Sequence, residues 1–244
     1  MNRKDRLFDV DITEPGDFIF DDRVVSVFPD RINRSVPGYS MIVPMIGLLA
    51  RRYAQAGSDL YDLGCSLGAV SLAMRAAVRD EVSRIIAVDN SAGMIRRLRE
   101  ILAPTADDGL VPVVPLHQDV LHTRIENASV AVLNFTLQFV DPPARPALLA
   151  GIACGLNPGG ILVLSEKICF EDPAEQQLQT NWHHDFKKAQ GYSELEISRK
   201  RDALENVMKT DSLQDHRERL LEAGFERVCQ WFQGFNFISL VAFR

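Results

Sequence analysis

The chain contains four groups of small or polar residues whose types and order would suit a nucleoside-binding pocket: Gly64-Cys65-Ser66, Asp89-Asn90, Asp119-Val120 and Asn134. Glycines in a turn that opens a helix allow backbone N–H groups to approach a ligand, and the helix N-terminus adds positive potential. An acid about twenty residues further on, at the end of the next strand, can bind both hydroxyls of a ribose. The order of these groups therefore predicts a nucleotide-type pocket.

The glycine turn departs from the dinucleotide-binding fingerprint, because G-x-G-x-x-G would require glycine at Ser66 and at Ala69 or Val70. Each group also has a simpler interpretation, since acids and asparagine favour turns and helix caps wherever they occur. That interpretation suffices for any single position. It does not explain four groups that all follow apolar runs.

Five apolar runs predict the strands that would hold these groups: 59–63, 84–88, 112–116, 129–133 and 161–165. Helical patterns alternate with the runs, at about 41–55, at 67–78, from Ser91, at 143–155 and from about Leu213. Such alternation is typical of a right-handed parallel sheet with helices on both faces. The last two runs, 228–232 and 235–243, predict an antiparallel hairpin. We therefore expect an α/β fold, a doubly wound Rossmann-like sheet, mostly parallel, with the four groups at its carboxyl edge.

The first helix is expected to begin after a cap at Ser40 and to bury four side chains: Met45, Leu48, Leu49 and Tyr53. We expect residues 1–244 to form one domain, with an N-terminal extension over 1–38. Residues 166–212 are predicted to form a helical insertion, which is long for a connection and so suspected of function.

The insertion carries His183 and His184, next to Asp185. No further carboxylate or cysteine lies beside them at metal-ligand spacing, so we predict no metal site and interpret them as surface or dimer-contact histidines. Cys65, inside the glycine turn, is interpreted as a small packed thiol rather than a reactive one.

Composition limits the classes of partner. The net charge of −6 argues against a broad electrostatic grip on nucleic acid, so no direct nucleic acid binding is expected. The apolar stretch 41–50 is about half the roughly 20 residues that a membrane span needs. Four scattered cysteines and the absence of a visible signal peptide favour a cytoplasmic protein with reduced thiols.

The glycine turn, the ribose acid Asp89, the adenine-side acid Asp119, the turn Asn157-Pro-Gly-Gly160 and the final hairpin closely resemble the S-adenosylmethionine-dependent methyltransferase superfamily. Longer segments resemble the carboxy-S-adenosyl-L-methionine synthase family in particular: Phe28-Pro-Asp30, Arg34-Ser-Val-Pro-Gly-Tyr-Ser40, Tyr61-Asp-Leu-Gly-Cys-Ser-Leu-Gly-Ala69, Leu133-Asn-Phe-Thr-Leu-Gln-Phe139, Gly191-Tyr-Ser-Glu-Leu-Glu-Ile-Ser198 and Leu204-Glu-Asn-Val-Met208. Ser66 departs from the superfamily pattern, which has glycine there.

The resemblance implies an enzyme that transfers a carboxyl group from prephenate to the methyl carbon of S-adenosyl-L-methionine. Its products would be carboxy-S-adenosyl-L-methionine and phenylpyruvate, and the former would serve wobble uridine modification in tRNA. The resemblance assigns Arg201 to the new carboxyl group and Tyr39 to the cofactor site. On residue type alone, Arg201 belongs to a basic run that is typical of a solvated helix face, and Tyr39 suits a packed aromatic position equally well.

The resemblance also implies a homodimer and transfer of the product to a tRNA carboxymethyltransferase. Two other functions remain open on the sequence. One is an ordinary methyltransferase that acts on a small molecule or RNA, which would use the same pocket. The other is a non-catalytic protein that binds an adenosyl ligand for a tRNA-modifying partner.

Overall fold

The computed structural model of the chain describes residues 30–78, 82–105, 109–198 and 207–244. Residues 1–29 of the expected N-terminal extension and the basic run 199–201, which includes Arg201, lie outside these described residues.

Seven strands form one sheet: β1 (Asp59–Leu63), β2 (Arg84–Asp89), β3 (Val113–His117), β4 (Ala128–Asn134), β5 (Leu156–Lys167), β6 (Arg227–Gly234) and β7 (Phe237–Phe243). Their order across the sheet is β3-β2-β1-β4-β5-β7-β6. The first five strands are parallel, and β7 runs antiparallel to both of its neighbours. The expected mostly parallel sheet with a final antiparallel hairpin is confirmed.

The apolar runs form strands because the central strands are covered on both faces. In β4, Val130 and Val132 pack into the core on one face, whereas Ala131 and Leu133 pack into the core on the other. A strand buried on both sides needs apolar residues at every position, which explains the continuous run in the sequence.

Six helices are fully described: α1 (Tyr39–Tyr53), α2 (Ala69–Ala77), α3 (Ala92–Leu102), α4 (Arg145–Gly155), α5 (Pro173–Ala189) and α6 (Leu213–Glu222). Residues of α1 and α2 belong to the core on one face of the sheet, and residues of α4 and α6 to the core on the other. The predicted start of α3 is confirmed, since the Ser91 side chain accepts a hydrogen bond from the Met94 N–H. None of the helices within the described ranges is long and apolar enough to cross a membrane.

Helix α1 differs from its prediction in both its cap and its buried face. It begins after Gly38, whose φ of 77° is left-handed, so the expected cap at Ser40 is wrong. Met45 and Leu48 are exposed, and the buried residues are Ile42, Ile46, Gly47 and Ala50. A Cβ on Gly47 would meet the Ala73 carbonyl oxygen at 2.7 Å. This close approach to α2 fixes the rotation of α1, which apolar spacing alone does not.

The described part of segment 166–212 contains helical and non-helical stretches, and its first two residues belong to β5. Helix α5 is capped by Asp172, whose side chain accepts from the Ala174 N–H, and residues 194–198 are also helical. At the far end of the segment, Asp211 pairs with the fully buried Arg145 at 2.5 Å. That ion pair fastens the segment to the start of α4.

Candidate active site

A cavity of about 600 Å³ lies beyond the carboxyl ends of β1, β2 and β4. It is lined by nine of the residues that the sequence predicts for the site: Tyr39, Gly64, Cys65, Ser66, Asp89, Asn90, Asp119, Val120 and Asn134. The predicted Arg201 falls outside the described residues. The volume lies in the range of cavities that bind small molecules and cofactors.

The turn after β1 owes its glycines to the packing of the protein itself. Gly64 has a φ of 80°, and a Cβ there would meet the Thr136 side chain at 2.3 Å. Gly68 has a φ of 79°, and its Cβ would meet the Leu98 side chain at 2.4 Å. The sequence interpretation explained these glycines by close approach of a ligand; here the neighbouring side chains already require them.

Ser66 occupies the position where the superfamily pattern has glycine, and it adopts a left-handed φ of 50°. Its N–H donates to Asp89 Oδ2 at 2.8 Å, and the Ser91 N–H donates to Asp89 Oδ1 at 2.8 Å. Each carboxylate oxygen has further lone pairs for a ligand. Burial raises the pKa of Asp89, and the two N–H donors oppose that effect. Asp89 therefore holds the turn in place while it lines the cavity.

Asp62, at the end of β1, also lines the cavity, and the sequence reasoning missed it. Its Oδ2 accepts from the Ser71 N–H at 2.9 Å and from the Ser71 hydroxyl at 2.6 Å. Burial and then the charge of Asp89 raise its pKa to about 6. The signal in the sequence is an acid inside an apolar strand. With Asp89 and Asp119, it makes this part of the cavity acidic, which suits a cationic ligand.

Asp119 both caps a turn and lines the cavity. Its Oδ1 accepts from the Leu121 N–H at 2.9 Å and so caps the 3₁₀ turn Val120–His122. It also lines the cavity, together with the buried Val120. The cap uses one oxygen and leaves Oδ2 for a ligand.

Asn134 ends β4 with a buried side-chain oxygen, Oδ1, that has no hydrogen-bond partner among the described residues. An unpaired buried amide oxygen costs free energy unless a donor reaches it. Because Asn134 lines the cavity, a ligand with N–H or O–H groups would supply that donor. The residues present therefore fit an adenosyl amino acid ligand.

Tyr39 and Cys65 line the same cavity as protonated groups. Burial raises the pKa of the Tyr39 phenol well above its ordinary value, and Asp62 adds to the shift. Burial, Asp62 and Asp89 likewise raise the pKa of the Cys65 thiol. A thiol held protonated is a poor nucleophile, which supports its interpretation as a packed thiol. The Tyr39 phenol is a hydrogen-bond donor at every physiological pH.

The expectation of a surface position is wrong for His183. It is buried, its Nε2 lies 2.8 Å from the Ser35 carbonyl oxygen, and its ring meets Phe237 edge to face. Burial, then Lys187 and Lys167, lower its pKa to about 2, so the ring is neutral. The reason for the error is that α5 turns this side chain toward the sheet. His183 and the half-buried His184 both line the cavity.

Within the described ranges, no three side chains of His, Cys, Asp or Glu are grouped as a metal site would need.

Three cationic side chains in the cavity wall, Arg31, Lys167 and Lys187, are not among the predicted residues. Lys167 could have been found, because it directly follows the apolar run that forms β5. Arg31 and Lys187 come from helical segments that carry no comparable signal.

The strand order, the glycine turn after β1 and the cavity at the carboxyl edge define the class of S-adenosyl-L-methionine-dependent methyltransferases. A family profile described as a methyltransferase domain matches residues 60–160. Among solved structures, human N-acetylserotonin methyltransferase in complex with S-adenosylmethionine aligns with a TM-score of 0.59 at 15% identity, covering 91% of this chain and 55% of that one. A methyltransferase of Leishmania major aligns with a TM-score of 0.58 at 12% identity, covering 92% and 78%. These likenesses show the fold.

Closer relatives identify the family. The chain is 57% identical over its full length to the whole carboxy-S-adenosyl-L-methionine synthase of Trichlorobacter lovleyi. It is 56% identical to that of Salmonella agona, covering all of this chain and 98% of that one. The chain belongs to the carboxy-S-adenosyl-L-methionine synthase family. It is an enzyme of the methyltransferase fold, and S-adenosyl-L-methionine is its substrate.

Proposed function

We propose that the protein converts S-adenosyl-L-methionine and prephenate to carboxy-S-adenosyl-L-methionine and phenylpyruvate. The observation that carries this proposal is the division of charge in one cavity. Carboxylates line it beyond β1, β2 and β3, and Arg31, Lys167 and Lys187 line it near the end of β5 and on α5. Asp141, which lines it after β4, is paired with Lys209. The first part suits a sulfonium compound with an amino group, and the second suits an anionic carboxyl donor.

In this proposal the predicted residues hold S-adenosyl-L-methionine in the order in which the strand ends present them. Asp89 binds the ribose hydroxyls, with Asn90 beside it, and Asp119-Val120 borders the adenine. Gly64-Cys65-Ser66 passes along the ligand, and Asn134 Oδ1 accepts from a ligand donor. Tyr39 donates its hydroxyl proton to the methionine carboxylate.

The reaction needs proximity and exclusion of water more than a protein nucleophile. Prephenate would lose carbon dioxide and hydroxide as its ring becomes aromatic. Hydroxide would take a proton from the sulfonium methyl group, giving water and a methyl carbanion, which would capture the carbon dioxide as a new carboxylate. The cavity residues support this route, because the thiol of Cys65 and the phenol of Tyr39 stay protonated and are poor general bases.

Arg201 is proposed as the partner of the new carboxylate, since a guanidinium binds a carboxylate in a bidentate manner. Arg201→Ala should then keep S-adenosyl-L-methionine binding and sharply weaken binding of the carboxylated product. Calorimetric titration of both ligands measures this. An equal loss for the two ligands would reject the assignment.

The function itself is tested by incubating pure protein with S-adenosyl-L-methionine and prephenate and weighing the products by mass spectrometry. Gain of one carbon dioxide by S-adenosyl-L-methionine supports the proposal. Demethylated cofactor with a methylated acceptor would instead indicate an ordinary methyltransferase. Ligand binding without turnover would indicate a binding protein.

We further propose that the chain is one cytoplasmic domain and that it forms a homodimer through residues 166–212. In this proposal it transfers its product to a tRNA carboxymethyltransferase and does not itself bind nucleic acid. Exposed apolar side chains on α5, Leu178 and Trp182, support the contact. Light scattering tests the dimer. Leu178→Glu should give a monomer if this surface is buried between subunits, and a dimer of unchanged mass would reject the contact.

A further inference from the structure

The cationic part of the cavity wall is separated from the carboxylates by the strand order. Lys167 is the last residue of β5, whereas Asp89 is the last residue of β2. Two strands, β1 and β4, lie between them, so three strand spacings of about 4.8 Å place the two strand ends about 14 Å apart. The cavity can therefore hold two molecules. A cationic ligand would lie against the acids, and a second, anionic molecule would lie against the cations.

Lys187 reaches the cavity from α5 on a face that is turned inward. His183 and Lys187 are one helical turn apart, and both are buried and line the cavity. The next residue, Lys188, points to solvent and pairs with Glu194 at 2.9 Å. Two adjacent lysines on one helix thus have opposite surroundings.

The buried side chain of Lys187 lies near two other cations, Lys167 and Arg31. Lys187 is only 7% exposed, and in the part of the chain that the structure describes no carboxylate forms an ion pair with it. Burial, then Lys167 and Arg31, lower its pKa to about 8, and all three cations line the same cavity. The ring of nearby His183 is neutral and therefore does not balance the positive charge of Lys187.

A buried cation beside other cations destabilises a protein unless an anion binds there. Groups with such perturbed titration inside a cavity are typical of binding and catalytic sites. The proposed donor is a dianion, and lysine and arginine are the side chains that bind carboxylates by charge-assisted hydrogen bonds.

We propose that Arg31, Lys167 and Lys187 form the subsite that binds a carboxylate of the anionic carboxyl donor. This inference rests on the proposed function, because it assigns residues to the second substrate of that reaction. It places the donor beyond β5, next to the neutral ring of His183 and away from the ribose acid Asp89.

The test compares Lys187→Met and Lys167→Met with a matched control, Lys188→Met, which removes the same charge from the exposed side of α5. We expect the KM for prephenate to rise about ten- to hundredfold in the first two variants, the effect of losing one charge-assisted hydrogen bond. The dissociation constant for S-adenosyl-L-methionine should stay within about twofold of the wild-type value in all three, because no ligand contact of that molecule is removed. An unchanged KM for prephenate, or an equal loss of both substrates, would overturn the subsite.

A second measurement separates a binding role from a structural one. Removing an unpaired buried cation should raise the Tm of ligand-free Lys187→Met, whereas loss of a structural contact would lower it. A variant that fails to fold would also count against the proposal, since it would show that the protein needs the charge for stability.

Direct calorimetric titration with prephenate distinguishes failure of the subsite from failure of the function. If the wild-type protein binds prephenate but makes no carboxylated product, and Lys187→Met abolishes the binding, the subsite stands and the proposed reaction does not. If the wild-type protein turns over and the variants match it, the reaction stands and the subsite is rejected. Wild-type protein that neither binds nor converts prephenate rejects both.

Discussion

The main-chain N–H of Ser66 donates a hydrogen bond to Oδ2 of Asp89 across 2.8 Å. This contact joins the turn after β1 to the end of β2, and Ser66 makes it from a left-handed backbone conformation. A residue other than glycine in that conformation costs about 1–2 kcal/mol, and a hydrogen bond to a partly buried carboxylate offsets a cost of that size. The acid proposed to bind ribose is thus positioned by the turn proposed to pass along the same ligand.

Asp89→Ala should weaken S-adenosyl-L-methionine binding by at least tenfold, because it removes both the proposed ribose acceptor and the partner of the Ser66 N–H. Calorimetric titration measures the dissociation constant. Asp59→Ala is the matched control, since Asp59 lies at the opposite end of β1 and pairs with Arg84 at 3.0 Å. Its affinity should stay within about twofold of the wild-type value. Unchanged affinity in Asp89→Ala would count against the assignment of the site.

Asn134→Leu should change stability and ligand binding in opposite directions. Replacing an unpaired buried amide by an apolar side chain of similar size removes a desolvation penalty, so the Tm without ligand should stay the same or rise. The rise in Tm on adding S-adenosyl-L-methionine should shrink, because the ligand loses an acceptor. Differential scanning fluorimetry with and without ligand measures both values. A full ligand-induced shift in the variant would show that Asn134 does not contact the ligand.

His183 should make the protein less stable in mild acid. Its pKa is lowered to about 2 in the folded state, whereas an unfolded histidine titrates near its ordinary value of 6.5. Below pH 6.5 the unfolded chain therefore binds a proton that the folded chain does not, and the free energy of unfolding falls as the pH falls. The contribution is about 1.4 kcal/mol per pH unit, or about 2 kcal/mol between pH 6.5 and 5.

His183→Gln keeps a donor for the Ser35 carbonyl and should lose this part of the pH dependence. Urea denaturation at pH 5, 6 and 7 gives the two slopes. His216, whose pKa burial lowers to about 4, destabilises the fold in acid in the same sense and is present in both proteins, so the difference isolates His183. Equal slopes would show that His183 is protonated in the folded state.

Arg145→Met should destabilise the fold by about 3–5 kcal/mol, the usual result of breaking a buried ion pair. Arg145 is fully buried, and its guanidinium donates to the Val140 and Lys209 carbonyls as well as to Asp211. Urea denaturation measures the loss. Arg97→Met is the control, since Arg97 and its partner Glu100 are both exposed and loss of their ion pair should cost no more than about 1 kcal/mol. Similar losses in the two variants would contradict the anchoring role of Arg145.

The positions of the strands and most of the site followed from local sequence. The run 59–63 matches β1 residue for residue, and Ser91 caps α3 as its side chain suggests. The strand-end rule brought eight predicted residues to one cavity, because parallel strands place their carboxyl ends at the same edge. Tyr39, which the resemblance assigned, lines the same cavity.

The errors occur where two helices meet or where a helix packs on the sheet. Apolar spacing placed Met45 and Leu48 of α1 inside, but the contact of Gly47 with Ala73 turns both outward. His183 was expected at the surface or in a dimer contact, because the local sequence does not show which face of α5 packs on the sheet.

The sequence by itself determined the order of strands and helices along the chain, the sheet edge at which the cavity lies and the family, since these depend on apolar periodicity, turn residues and long specific segments. Only the tertiary structure decided that Lys187 is buried beside Lys167 and Arg31 while Lys188 faces solvent. The physical reason is that burial depends on which residues distant in the chain pack against each other. Because Lys187 and Lys188 are identical neighbours, their residue types do not show which of them is buried.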